Sequence, residues 1–421
     1  MKKVFFSVLI IYLLYAVTMS SYLFLVDTPL PEAYIGTEAD PNTFMNEEQL
    51  ILSTDFSKWR NVLYFVHTPF EWLIYLFVIC FGISQFFARW SKQLIKFKFF
   101  QTALYVILLS CLSFLITFPI KYVAYSISKQ YGISIQTFES WMKDNLIGFW
   151  IEALLLTVVV YVIMYLISKS PKRWWLYTWL LSIPFTLFLM FIQPVVIDPL
   201  YNEFYPIQDK ELEEEILQLA NQVDIPADRV YEVKMSEKTN ALNAYVTGIG
   251  SNLRIVLWDT TLMSLSKEEV LFVMAHEMGH YDLNHLKQLL IGMIALSFVG
   301  LFITSKLYQF TINNVGKQLN LKRNEMAAIP IILLILSLLS FTTSPMSNAI
   351  SRAYEYQADR YAIDLTDEPD AAVATFHKLS VEGLADVNPP TIVKLFRYTH
   401  PPMVERITHI REYRNEIDKT K

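Results

Sequence analysis

Two histidines four residues apart, His276 and His280, point most directly to chemistry in this chain, and Glu277 lies beside the first of them. On an α-helix, residues i and i+4 share a face, so both imidazoles can bind one metal ion. Glu277 would then lie next to the metal without binding it, where its carboxylate can accept a proton from a metal-bound water. This HExxH spacing is typical of zinc metalloproteases, and it predicts one zinc ion per chain with Glu277 as the general base.

The residues around this motif independently indicate a helix. Ser266 and Glu269 have the spacing of a capping box, which marks the start of a helix. The predicted helix continues through His285 into an apolar run at 287–311. We therefore expect the metal site at the start of a membrane-spanning helix.

A third ligand is expected, because catalytic zinc sites usually have three protein ligands and leave the fourth position to water. Glu355 and Asp359 are again four residues apart. Glu355 can be the third ligand, and Asp359 can accept a hydrogen bond from a ligand histidine and fix its tautomer. The spacing alone also allows an ordinary solvated face, with Arg352 and Arg360 beside Asp359. His285 is an alternative, as a third ligand, as a hydrogen-bond partner of a ligand or as a residue of the membrane interface.

The composition requires a bilayer as a partner. Hydrophobic residues make up 53% of the 421 residues and charged residues only 18%, whereas about a quarter of a soluble domain is charged. Seven apolar runs have the length of a membrane span. They lie near 4–26, 62–88, 99–120, 146–167, 174–197, 287–311 and 326–346. The net charge of −5 and the lack of a basic stripe argue against a nucleic-acid partner.

The polar segments between these runs complete the predicted organisation. The segment after the fifth run predicts an amphipathic helix at 209–223, then strands at 230–235, 243–249 and 253–258, with a turn at Gly250-Ser251-Asn252. The chain divides into five spans (1–197), a catalytic domain (198–286), two spans (287–346) and the rest of the catalytic domain (347–421). The predicted fold class is mostly α, a seven-transmembrane helical protein with a small α+β zinc metallopeptidase domain.

Lysine and arginine in the short loops predict the orientation. Thirteen of them lie on the face that carries the N-terminus and five on the other face. This count places the N-terminus in the cytoplasm and the catalytic segments outside. The pattern is typical of a multi-pass protein of the bacterial cell membrane.

Two segments resemble a known family. HEMGHYDLNH at 276–285 and YEYQAD at 354–359 are similar to the zinc-dependent membrane peptidases of the CAAX prenyl protease type. Other similar segments are Asn243-Ala244-Tyr245, Asp198-Pro199-Leu200 and His400-Pro401-Pro402 with Glu405-Arg406. The bacterial heat-shock membrane proteases share the zinc motif, but they are shorter chains with fewer spans.

The resemblance implies further roles. Glu355 matches the family's third zinc ligand, His400 a histidine that stabilises the oxyanion of the tetrahedral intermediate, and Arg406 an arginine beside it. The residues that match its substrate-binding strand are Asn243, Ala244 and Tyr245. The family also implies a chamber enclosed by seven helices. Its eukaryotic members have the catalytic domain on the cytosolic side, contrary to the charge count.

These observations predict a membrane zinc metalloendopeptidase that acts on a peptide or protein, lipidated or not. The first interpretation is a CAAX prenyl protease-like enzyme. The alternative is a general quality-control or peptide-maturation protease of the heat-shock membrane protease type. A zinc transporter would need ionisable groups along its spans. The predicted spans offer few such groups, namely His67, Glu71 and Glu152. A non-enzymatic scaffold would not need Glu277.

Overall fold

Seven helices within the described residues are long and apolar enough to cross a membrane. The computed structural model describes residues 1–227, 229–248 and 253–420. The first six helices are α1 (Lys2–Leu25), α2 (Glu47–Cys80), α3 (Ile83–Leu94), α4 (Lys98–Gln130), α5 (Phe138–Lys169) and α6 (Trp174–Ile192). After the catalytic segment come α10 (His285–Val315) and α11 (Ile329–Thr366). The predicted number of spans is therefore confirmed, with α3 as a short amphipathic addition.

The helix bounds differ from the apolar runs. The second run, predicted as one span over 62–88, is divided at Gly82, whose φ of 76° lies in the left-handed region. Helix α2 begins far earlier, at Glu47, where Asn46 and Gln49 form a capping box. An apolar run marks where a helix contacts lipid, whereas caps mark where it ends, so α2 extends beyond the bilayer.

The catalytic segment contains a four-stranded sheet. Its strands are β1 (Phe204–Pro206), β2 (Val230–Val233), β3 (Ala244–Thr247) and β4 (Arg254–Trp258), in the order β1-β2-β4-β3. Strand β2 is parallel to β4, and the two outer pairs are antiparallel. Strand β3 is therefore at an edge. The predicted turn at 250–252 lies outside the described residues.

Within the described residues, six further helices pack with this sheet, with α11 or with one another to form the catalytic segments. They are α7 (Lys210–Gln222), α8 (Asp259–Ser264), α9 (Lys267–Asp282), α12 (Pro369–Glu382), α13 (Thr391–Arg397) and α14 (Met403–Thr420). The predicted apolar face of α7 packs into the core through Leu212, Ile216 and Leu219. A second apolar core lies among the membrane helices, around Tyr105, Trp174 and Tyr308. These residues lie near the helix ends opposite the catalytic segment, so the bundle is closed at that end.

Helix α9 begins as the sequence predicted. Ser266 N donates to Glu269 Oε2 (2.6 Å), and Glu269 N donates to Ser266 Oγ (3.4 Å). The expected continuation through His285 is wrong, because α9 ends at Asp282 and Asn284 adopts a φ of 58° before α10 begins. This turn changes the direction of the chain between the motif and the membrane.

Helices α9 and α11 pack closely at Gly279. A Cβ atom there would lie 3.0 Å from Cδ1 of Tyr361, closer than ordinary contact. Glycine thus permits α11 to approach the face of α9 that carries the histidines.

Contacts between loops show which segments share a side of the membrane. Arg411 of α14 donates to both carboxylate oxygens of Glu38, at 2.5 and 2.7 Å, and Ile135 N donates to Lys238 O (3.1 Å). The loops after α1 and α4 therefore lie with the catalytic segments, opposite the N-terminus. Which of these sides faces the cytoplasm stays a prediction, as do the domain divisions at 197, 286 and 346.

Candidate metal centre and active site

Three side chains converge where α9 packs against α11. His276 and His280 extend from α9, and their Nε2 atoms are 3.2 Å apart. Glu355 of α11 has Oε2 at 3.3 Å from the first Nε2 and Oε1 at 3.4 Å from the second. One ligand atom from each of the three residues lies within 4.8 Å of the others. The spacing on α9 and the close packing at Gly279 together produce this arrangement.

This arrangement fits a metal ion. Glu355 is buried, and its Oε2 accepts no hydrogen bond despite the nearby imidazole. Such an unsatisfied buried carboxylate oxygen is costly unless a cation compensates it. Two imidazole nitrogens and one carboxylate are ligands that zinc accepts, with a position left for water.

A charged group supports His276 from behind. Its Nδ1 lies 2.9 Å from Oδ1 of Asp359, which is completely buried. Arg406 donates to both oxygens of Asp359, at 2.9 and 2.5 Å, and lies over the ring of Phe376 at 4.2 Å. Burial lowers the pKa of His276, but the Asp359 and Glu355 carboxylates outweigh it and raise that pKa to about 10.

Arg406 is buried, and its side chain is only 6% exposed. Its Nε and Nη2 donate to Asp359, and Nη2 also lies 3.7 Å from Oε2 of Glu355. The Asp359 carboxylate raises the pKa of Arg406 against the effect of its own burial. The structure places this arginine behind His276 and beside Glu355, and the role that the resemblance implies for it near the oxyanion stays a prediction.

Glu277 is partly accessible beside the two histidines. Burial raises the pKa of its carboxyl group, and the Glu355 carboxylate adds to this, while both histidines and Arg406 oppose it. A carboxyl group with a raised pKa is a better proton acceptor near neutral pH.

His400 approaches the site from the loop after α13. Its Nε2 is 3.4 Å from Oε1 of Glu355, and its side chain is 59% exposed. Partial desolvation by the surrounding protein lowers the pKa of His400, although the Glu355 carboxylate opposes this. Buried Arg352 fixes the loop by donating to the carbonyl oxygens of Lys394 (2.9 Å) and Tyr398 (2.7 Å).

The predicted substrate strand has one free edge. The carbonyl of Asn243 accepts from Trp258 N (3.0 Å), and its backbone N–H donates to Thr261 Oγ1 (2.8 Å). In the antiparallel ladder with β4 the bonding alternates, so Ala244 and Val246 present their N–H and C=O groups outward. Tyr245 lines a cavity of about 320 Å³ between the sheet and the chain after α6.

The membrane helices enclose a larger cavity. It has about 700 Å³ and lies between α2, α4, α5 and α11. Its ionisable lining residues are Glu71, Lys121, Asp144 and Glu152. Two of these, Glu71 and Glu152, are among the three ionisable residues identified along the predicted spans.

Several residues of the site were missed from the sequence. They are Val246 on the free edge, Arg352 behind the His400 loop, Phe376 beneath Arg406, and Tyr354 and Gln357 next to His285. Only Tyr354 and Gln357 had a usable signal, because they share a helix face with i, i+3 spacing beside the predicted ligand.

Comparisons with known proteins define the class of the chain. Residues 206–414 match the family model described as Peptidase family M48, and residues 38–203 match "CAAX prenyl protease N-terminal, five membrane helices". The chain belongs to peptidase family M48, and it is a multi-pass integral-membrane metalloprotease. The resemblance drawn from the zinc motif and YEYQAD is thereby confirmed.

Individual relatives agree with this class. The protein named "Uncharacterized metalloprotease YhfN" from Bacillus subtilis is 48% identical over 406 residues, covering 96% of this chain and 95% of that protein. "CAAX prenyl protease 1" from Saccharomyces cerevisiae is 29% identical, over 76% of this chain and 74% of the yeast protein. The crystal structure of S. mikatae Ste24p shares the fold, with a TM-score of 0.79 at 23% identity and 96% coverage of both chains.

Proposed function

We propose that this protein is a zinc metalloendopeptidase of the bacterial cell membrane that binds one zinc ion through His276, His280 and Glu355. The observation that carries the proposal is the convergence of two imidazole nitrogens on the buried carboxylate of Glu355, whose Oε2 has no hydrogen-bond partner. Both imidazoles must present a lone pair to the same point, and a metal ion satisfies all three atoms.

The bound zinc and the residues around it have separate roles in peptide hydrolysis. Bound zinc would polarise the scissile carbonyl and lower the pKa of a water molecule. Glu277 accepts the proton of the attacking water and delivers it to the leaving amine. Its raised pKa suits both transfers, because the carboxyl group can hold the proton between them.

His400 stabilises the oxyanion of the tetrahedral intermediate. Thr399 Oγ1 lies 3.0 Å from Nδ1 of His400 and can donate to it, which leaves Nε2–H as the donor towards the site. Preorganised donors of this kind are worth about 100-fold to 1,000-fold in rate. Arg406 holds Asp359 behind His276, and its charge also lies 3.7 Å from Oε2 of the proposed ligand Glu355.

The substrate adds a strand to the free edge of β3. Ala244 and Val246 supply the backbone groups for this pairing, and the side chain of Tyr245 contributes to the adjacent cavity. Backbone pairing gives little sequence selectivity. Because relatives are named CAAX prenyl proteases, we propose that the selected substrates have a lipidated C-terminus.

The test uses full-length protein purified in detergent without added metal. Elemental analysis should find about one zinc per chain, and a chelator should abolish cleavage. Paired peptides, one farnesylated at a C-terminal CAAX cysteine and one not, would be followed by mass spectrometry. Preferential cleavage of the farnesylated peptide supports the lipidated-substrate proposal, whereas equal cleavage identifies a general membrane peptidase and rejects that part.

Glu277→Gln is the matched control, because it keeps the size and the hydrogen-bonding shape of the side chain. We expect unchanged zinc content and a loss of turnover of about 100-fold to 10,000-fold, the usual contribution of a general base. Wild-type turnover in this variant would exclude Glu277 as the base.

A further inference from the structure

His285 lies behind the site, on the far side of the His280 ring. It is 1% exposed, and its Nδ1 lies 3.1 Å from Nδ1 of His280. The Nε2 atom of His280 is the one that faces Glu355. His285 therefore contacts the ring edge opposite the proposed ligand atom, so a metal ion bound at Nε2 of His280 is out of its reach.

The second ring nitrogen of His285 has a definite partner. Its Nε2 lies 3.2 Å from Oε1 of Gln357, an atom that can only accept a hydrogen bond. With the amide in this orientation, Nε2 of the neutral His285 ring carries the proton, and Nδ1 is left as an acceptor. That acceptor faces Nδ1 of His280, so His280 carries its proton on Nδ1 and has a bare Nε2.

The reverse direction of this chain is incompatible with metal binding. If His285 donated from Nδ1, then His280 Nδ1 would be the acceptor and the proton of the neutral His280 ring would be on Nε2. No lone pair would then face Glu355. Of the two directions, the one that ends on Gln357 Oε1 leaves the ligand atom free.

Helix α11 holds the His285 ring from two sides. Tyr354 stacks on the ring with centroids 4.3 Å apart and planes 11° apart, and Gln357 is one turn further along the same face. The hydroxyl of Tyr354 donates to Oε1 of Gln288 (3.0 Å), which ties α11 to α10. The turn at Asn284 places His285 in this position at the first residue of α10.

We propose that His285, held by Tyr354 and Gln357, is a positioning residue that fixes the tautomer and orientation of the metal ligand His280. This inference rests on the proposed metal site. His280 is thus supported by a neutral hydrogen-bonded relay through His285 to Gln357, whereas His276 is supported by the buried carboxylate of Asp359. Metal-ligating histidines generally need such an outer partner, whose loss typically weakens metal binding about 10-fold to 100-fold.

The test measures zinc affinity, not activity, by competition with a chromophoric chelator on the full-length metal-free protein in detergent. His285→Phe keeps an aromatic ring against Tyr354 and removes the acceptor, so we expect zinc binding to weaken about 10-fold to 100-fold. In His285→Asn the amide oxygen can take the place of Nδ1, and we expect most of the affinity to return.

His377→Phe is the matched control. This half-buried histidine also stacks on an aromatic ring, Phe44 at 3.9 Å, and hydrogen-bonds a backbone carbonyl, that of Glu38. Its replacement removes the same atoms and should leave zinc affinity unchanged. The midpoint of thermal unfolding of the metal-free variants shows whether His285→Phe alters the fold itself.

The outcomes separate this inference from the proposed function. Wild-type zinc affinity in His285→Phe would overturn the inference, as would an affinity loss that follows thermal destabilisation and is not restored by His285→Asn. Zinc binding without cleavage of any peptide would reject the peptidase proposal, and the affinity comparison would still decide the role of His285. A wild-type protein that binds no zinc would reject both.

Discussion

The two histidines proposed as metal ligands have different supporting residues behind them. His276 has a buried carboxylate behind it, and that carboxylate is paired with a buried arginine. His280 has the neutral ring of His285 behind it, and that ring is hydrogen-bonded in turn to the exposed Gln357. We call the pair behind His276 the charged arm (Asp359, Arg406) and the pair behind His280 the neutral arm (His285, Gln357). The difference teaches that the support of one ligand can also stabilise the fold, while the support of the other can change without destabilising it.

The largest effect is expected where both arms converge. Glu355→Ala removes the oxygens shared by the two histidines, so zinc affinity should fall by more than the roughly 100-fold that outer partners contribute. Elemental analysis after dialysis measures the remaining zinc, with Glu277→Gln as the control that keeps it. Full occupancy in Glu355→Ala would mean that the third ligand lies elsewhere.

A change in the charged arm should lower both the stability of the fold and the affinity for zinc. Asp359→Asn leaves the buried guanidinium of Arg406 without its counter-charge, which typically costs about 3–5 kcal/mol of stability. We expect a lower midpoint of thermal unfolding in detergent and zinc binding weakened about 10-fold to 100-fold. His285→Phe should weaken zinc binding alone, so equal destabilisation by the two variants would remove the distinction between the arms.

A second substitution sharpens this result. Adding Arg406→Met to Asp359→Asn removes the unpaired charge, so part of the thermal stability should return. Zinc affinity should stay low, because His276 still lacks its carboxylate partner. Recovery of both properties would show that the arginine, and not Asp359, limits metal binding.

The charged arm also predicts a pH dependence. The pKa of His276 in the metal-free protein is about 10, above the usual 6.5, so protonation stabilises that fold. This stabilisation is fully present below pH 6.5 and is lost as the pH rises through 10. Zinc must displace the proton, so its apparent affinity should rise about tenfold per pH unit over this window. Chelator competition at several pH values measures the slope, which should be shallower in Asp359→Asn.

The smallest effect is expected from converting the neutral arm into a charged one. Gln357→Glu gives His285 a carboxylate acceptor, which should make His280 a more basic ligand and strengthen zinc binding a few-fold. Gln357→Leu, which removes the acceptor, should weaken it by a similar factor. If both variants matched the wild type in the competition assay, the relay would end at His285 itself.

The sequence predicted those parts of the site that depend on local spacing. The HExxH histidines, the Ser266 cap and the i, i+4 pair Glu355 and Asp359 are each fixed within one helix, and a periodic pattern reports on one helix. The sequence also predicted the number of spans, seven, because the length of an apolar run is a local property of the sequence.

The remaining parts depend on how separate elements meet. His285 stayed ambiguous because its direction is set by the turn at Asn284 and by the faces of α11. The position of Arg406 behind His276 results from the packing of α14 against α11 and α12, which no spacing along the chain reports. The bounds of α2 were misjudged because its first turns are polar and leave no apolar signal.

Helix α11 runs without interruption from the membrane to the metal ligands. Glu355 lies ten residues beyond Pro345, or about 15 Å along the helix axis. A change of about 5° in helix tilt at that point would displace the carboxylate by roughly 1 Å relative to the histidines of α9, and tilt responds to bilayer thickness. The lipid is thus mechanically coupled to the coordination geometry, so the enzyme should work best in a membrane of one particular thickness.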